Sequence, residues 1–205
     1  MPIIICGPDA ACEILLAMAP GACIRVGAAS AFTGFPDAAA FFNLDEDAAK
    51  ADYSLLQQPV FINAVTTTLR ENHLPAHVFR INGWPGFLER THWEIAGVLT
   101  AQAAEVLALL NRQPVVVADE PGLVAARVIA MIINEAYFAL SAAVSSKEEI
   151  DTAMKLGTNY PYGPFEWASK IGADKIAGLL TRLSETDTRY QPCTLLMQES
   201  KQSVA

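Results

Sequence analysis

The segment PVVVADEPGLVAAR, Pro114 to Arg127, decides the fold. Its first part, Pro114 to Ala118, is a run of β-branched residues behind a proline, the composition of a short strand. Asp119-Glu120-Pro121-Gly122 then supplies an acid, a proline and a glycine in the order of a tight turn. From Gly122 the chain stays apolar to Val144, long enough for one continuous helix. No strand pattern follows. A boundary near Glu120 therefore separates an α/β region, residues 1–119, from a helical one, residues 120–205.

Upstream of that turn, strand-like and helix-like pieces alternate. Pro2–Cys6, Cys23–Ala28, Phe41–Leu44, Val60–Val65 and His77–Asn82 read as strands and Asp9–Ala19 as a helix. Thr100 is placed to cap a further helix, AQAAEVLALLN. Such alternation predicts a doubly wound, mostly parallel sheet. Fewer than 63 residues precede Asn63, too few for two full mononucleotide-binding halves at roughly 30 residues for each βαβ unit, so the sheet should be a truncated one. Downstream, Ser146-Lys-Glu-Glu149 is a capping box opening a helix that Gly157 should stop. Pro164–Ile171 should be a helix ended by Gly172, and Asp174–Leu183 a last one, with a loose polar tail after Gln191.

Composition narrows the function. The chain has 205 residues, 52% of them hydrophobic, and a net charge of −8. No cluster of Lys and Arg is present to neutralise a phosphate backbone, which excludes nucleic acid as a partner. Cys6, Cys12, Cys23 and Cys193 show neither CxxC nor His-paired spacing, so no metal site is expected and the thiols read as reduced and cytoplasmic. Arg127, Asn134 and Glu135 interrupt the Gly122–Val144 run, which reads as a buried helix and not a membrane span. A helix apolar on nearly all sides needs more cover than a small domain supplies, so this helix is expected to form a homodimer interface.

The strand and turn of Pro114–Gly122, the Asn134-Glu135-Ala136 within the helix, and GTNYPYGPF, Gly157 to Phe165, occur in an order that resembles the 3-hydroxyacyl-CoA dehydrogenase family. The resemblance implies a Rossmann-like domain followed by that family's helical C-terminal domain. It also implies NAD as cofactor, oxidation of a 3-hydroxyacyl-CoA, and a His–Glu pair aided by a Ser and an Asn. Carried over singly, the serine of N-T-S-S-L falls on Thr67, and the glutamate of K-L-V-E on Glu94. The histidine of H-F-F-N-P falls on Phe79, with Asn82 keeping the frame, and the substrate asparagine falls on Ala126. His77 and His92 are the histidines nearest in sequence. Tyr160, Tyr162 and Phe165 could line an apolar ligand, or simply fix two helices together. Thr67 could equally be an ordinary strand end, and Glu94 a surface carboxylate.

At the position of the dinucleotide fingerprint the chain reads Cys6-Gly7-Pro8-Asp9-Ala10-Ala11, where only Gly7 fits G-x-G-x-x-G. Pro8 removes an amide donor and Asp9 is expected to cap its own helix. The sequence thus predicts a family member without the usual NAD and His–Glu sites that keeps an acyl-CoA-type surface. Two alternatives stand beside it: an active NAD-dependent dehydrogenase, and a dimeric interaction protein with no small-molecule ligand.

Overall fold

The computed structural model describes residues 1–202, which form two compact units, the first Met1–Leu123 and the second beginning at Val124. The first is built on seven strands, β1 (Ile3–Cys6), β2 (Cys23–Arg25), β3 (Ala40–Asn43), β4 (Val60–Asn63), β5 (Val78–Ile81), β6 (His92–Ala96) and β7 (Gln113–Val117). They lie in the order β2-β1-β3-β4-β5-β6-β7. Only the β5–β6 pair is antiparallel, with Arg80 opposite Ala96. The sheet is mostly parallel, as expected. β6 is the strand that periodicity missed, because its five residues, HWEIA, mix two ionisable side chains with three apolar ones.

Strands β1, β3, β4 and β5 are buried throughout, as strands covered on both faces must be. One face packs Phe42, Phe61, Phe79, Trp93 and Ile95 beneath α1 (Asp9–Met18) and α2 (Ala101–Leu109). Phe61 stacks between Phe42 at 4.6 Å and Phe79 at 5.3 Å, pairs worth about 0.5–1.5 kcal/mol each beyond their buried area. The other face packs Ile4, Phe41, Val60, Ile62 and Val78 against Phe32, Tyr53 and Leu56. There, 3-10 turns at Ala29–Gly34 and Ala48–Lys50 replace full crossover helices. Pro114 sits on edge strand β7, where its missing N–H leaves no ladder bond unmade.

The second unit is helical: α3 (Ala125–Ser141), α4 (Lys147–Thr158), α5 (Pro164–Ile171), α6 (Ala173–Ser184) and α7 (Thr194–Gln202). The capping box at Ser146 and Glu149 forms as expected. Gly157 does not stop α4; the helix continues to Thr158 and ends on Asn159 in the left-handed region, φ 55°, a conformation asparagine tolerates. The tail after Gln191 is not loose over its described length, since α7 buries Leu196 and Ser200. Asn134 holds the segment leading to α7, accepting from the Cys193 amide at 2.8 Å and donating to Gln191 O at 2.9 Å.

Candidate functional site

Ligands of open α/β sheets gather at the carboxyl ends of the parallel strands, where the strand order reverses. Here that point lies between β1 and β3, at Gly7 and Leu44. Gly7 has φ 137°, and a Cβ built on it would meet Leu44 Cβ at 2.7 Å and the Leu44 backbone at 3.0 Å. Gly7 thus packs so tightly on Leu44, itself buried in the core, that the position requires glycine. Asp9 does not cap α1; the N-cap is Pro8, with no side-chain cap. Asp9 instead pairs with Arg25, whose guanidinium also donates to Gly7 O at 3.1 Å. A carboxylate therefore stands at the helix N-terminus, where a diphosphate would need open amides.

Beneath this edge lies a chain of buried polar contacts. The Cys6 thiol donates to Asn43 Oδ1 at 3.4 Å, Asn43 Nδ2 to the Tyr53 hydroxyl at 2.9 Å, and that hydroxyl to Ala48 O at 2.6 Å. Burial, with the Asp45 charge nearby, pushes the Cys6 thiol up to about 12. It is a neutral donor, not a nucleophile. All four cysteines are free and buried.

Phe79, at the family's histidine position, is fully buried in the aromatic stack, its Cδ1 only 3.0 Å from where a Cβ on Gly97 would lie. Strand alternation has a further consequence. Phe79 packs on the same face as Trp93 and Ile95, so Glu94, between those two residues, leaves the sheet on the other face. The structure does not bring positions 79 and 94 together. Glu94 is half-buried. His77 precedes β5 with Nε2 3.2 Å from Tyr53 O, and His92 is exposed at the start of β6. Asn82 is buried and accepts from the Trp84 amide at 3.2 Å, while its Nδ2 has no partner. Ala126 is fully buried on α3.

Thr67 lies in an ordered turn that follows β4. Its hydroxyl donates to Glu71 Oε2 at 3.1 Å and accepts from Asn72 Nδ2 at 2.7 Å. Thr68 and Glu71 cap one another, the Thr68 amide donating to Glu71 Oε2 and the Glu71 amide to Thr68 Oγ1, both at 3.1 Å. The Asp119 carboxylate accepts from the amides of Leu69 and Arg70 at 3.1 and 3.2 Å. Arg80, invisible as a site residue in the sequence, is fully buried and fixes Asp119 at 2.6 Å. The same guanidinium donates to Ala64 O at 2.7 Å, Val65 O at 3.1 Å and Glu120 O at 3.3 Å. Burial alone would raise the Asp119 pKa, but the Arg80 hydrogen bond and the two amides outweigh it and hold the carboxyl below its usual range.

In the second unit, the Gly157–Phe165 motif builds a helix start. Asp151, on α4, is buried. It accepts from the Phe165 and Glu166 amides at 2.8 and 3.1 Å. A Cβ on Gly163 would collide with that carboxylate, so the position requires glycine. Phe165 forms the apolar wall of an open groove of about 450 Å³ otherwise edged by Lys147, Glu148, Glu166 and Lys170. Tyr162 packs edge-on against Trp167 at 4.9 Å under the Lys170 ammonium, and Tyr160 stands exposed. Among the described residues no His, Cys, Asp and Glu group could hold a metal, and no helix is long and apolar enough to cross a membrane.

Comparison with known proteins agrees with this architecture. Residues 122–203 match the family model for the 3-hydroxyacyl-CoA dehydrogenase C-terminal domain. A 3-hydroxyadipyl-CoA dehydrogenase of Escherichia coli is 49% identical over 86 residues, 41% of this chain and 18% of that protein. A 3-hydroxybutyryl-CoA dehydrogenase of Bradyrhizobium diazoefficiens is 38% identical over 111 residues, 51% of this chain and 38% of that protein. The chain thus spans well under half the length of these curated relatives. The crystal structure of FadB2 from M. tuberculosis superposes with a TM-score of 0.80 at 13% identity, covering 98% of this chain and 93% of that one, a likeness of fold.

Proposed function

From a chain whose residues 122–203 match the 3-hydroxyacyl-CoA dehydrogenase C-terminal domain, we propose a member of that family that has set aside NAD-dependent hydride transfer and keeps an acyl-CoA-type ligand surface around the Thr67 turn. The observation that carries this reading is the contrast along the carboxyl edge of the sheet. At β1 the glycine turn is followed by Pro8 at the helix N-cap, with Asp9 in the first turn and Arg25 held on Asp9 and on Gly7 O. After β4, Thr67 stands half-buried in a hydrogen-bonded turn that Arg80 and Asp119 hold in place. Phe79, sealed in the core on the face opposite Glu94, supports the loss of the acid/base pair. The chain would act on the C3 oxygen of a bound acyl group by hydrogen bonding, with no proton relay behind it.

The same reading includes a cytoplasmic homodimer. Supporting it, α3 is not wrapped by its own unit: Val128 is 49% exposed and Phe138 42%, with Met131 half-buried between them. Val128, Met131 and Phe138 fall on one stripe of the helix, with the exposed Glu135 among them.

Titration with NADH, followed by nucleotide fluorescence, tests the proposal. No saturation below the millimolar range is expected, while a short-chain 3-hydroxyacyl-CoA binds by calorimetry. Saturable NADH binding at micromolar levels would overturn it and favour an active dehydrogenase using Thr67 and Glu94.

A further inference from the structure

We propose that Glu71 decides which ligand group Thr67 can meet, so that the site takes the 3-hydroxy and not the 3-keto form of an acyl ester. The inference rests on the reading of the Thr67 turn as the acyl surface, and it follows from counting donors. A threonine hydroxyl has one hydrogen to give and two lone pairs. Glu71 Oε2 also receives the Thr68 amide, as an acceptor-only carboxylate does, so the Thr67 hydrogen points to Glu71. The orientation of the Asn72 amide is equally determined. Its Nδ2 lies 2.8 Å from Thr68 O, which can only accept, so Nδ2 and not Oδ1 faces both that carbonyl and Thr67 Oγ1. Thr67 is then left with one lone pair and no hydrogen. A ligand hydroxyl can donate to it, whereas a ketone oxygen would meet a second acceptor and bind against repulsion.

The turn is stiff enough to enforce the choice. Its backbone is tied through Leu69 and Arg70 to Asp119, and Asp119 to the buried Arg80, so Thr67 cannot easily rotate its hydroxyl free by moving the loop. Glu71 is a positioning residue here: it touches Thr67 and need not touch the ligand.

Calorimetry on the full chain with 3-hydroxybutyryl-CoA and acetoacetyl-CoA tests this. The wild type should prefer the hydroxy ester by about tenfold, the value of one hydrogen bond made against one denied. Glu71→Ala releases the Thr67 hydrogen and should bring the ratio of the two affinities to near one. Glu71→Gln keeps a carbonyl oxygen for Thr67 and Thr68 and should retain the preference, a rescue that a merely structural role would not produce. Thr67→Val should abolish the preference without depending on Glu71, and carries the test if Glu71→Ala does not fold. Equal affinity for the two esters in the wild type, or a preference unchanged in Glu71→Ala or Thr67→Val, overturns the inference alone. Binding of neither ester overturns the acyl-surface reading, and the inference with it.

Discussion

Arg80 is the residue on which the first unit's loops converge. It is fully buried and donates to one carboxylate and three carbonyls. Replacing it with methionine would strip Asp119 of its counter-ion, leaving only the Leu69 and Arg70 amides on that carboxylate, and breaking a buried pair from one side costs about 3–5 kcal/mol, readable by urea denaturation. Its partner sets an acid limit. The Asp119 pKa is lower in the folded chain than its ordinary value, so the pair's stabilisation is complete above the unfolded value of about 3.9. It is lost as pH falls below that through the folded value. Denaturation between pH 2 and 7 should show this acid limb, and Asp119→Asn should flatten it. Phe79 invites the opposite experiment. Phe79→His restores the family's residue type, but in a dry aromatic stack with Glu94 on the far face, so it should destabilise by about 2–4 kcal/mol and confer no dehydrogenase turnover.

At the scale of elements, the start of α5 shows how a motif can be legible while its reason is not. Gly163-Pro164-Phe165 reads correctly as a helix opening, with proline at N1. What the motif is for emerges only when α4 delivers the Asp151 carboxylate, 14 residues away from Phe165, onto the α5 amides. Asp151→Ala should cost about 1–2 kcal/mol, the range for losing a strong N-cap, as a shift in thermal midpoint; Asp151→Asn should recover much of it. Strand β6 makes the converse point. Its ionisable residues hide it from pattern reading because strand propensity here is overridden by its place between β5 and β7.

For the whole molecule, assembly is the property most open to test. Ile129, on α3, is buried. A charge there would unfold the unit and say nothing about association. Val128 lies one position away on the exposed stripe. Val128→Asp should keep the circular dichroism of the wild type and sediment as a monomer; a persistent dimer would remove α3 from the interface.

The sequence by itself determined the division into an α/β and a helical half, the mostly parallel sheet and most helix bounds, because these follow from local periodicity, caps and turn residues within short windows. Tertiary structure alone decided which polar residues matter. Arg80 lies 39 residues from Asp119, Leu44 reaches Gly7 only through the β1–β3 pairing, and the separation of Phe79 from Glu94 comes from the sheet's two faces. Each is a contact made by strand order and alternation, which no single stretch of chain encodes.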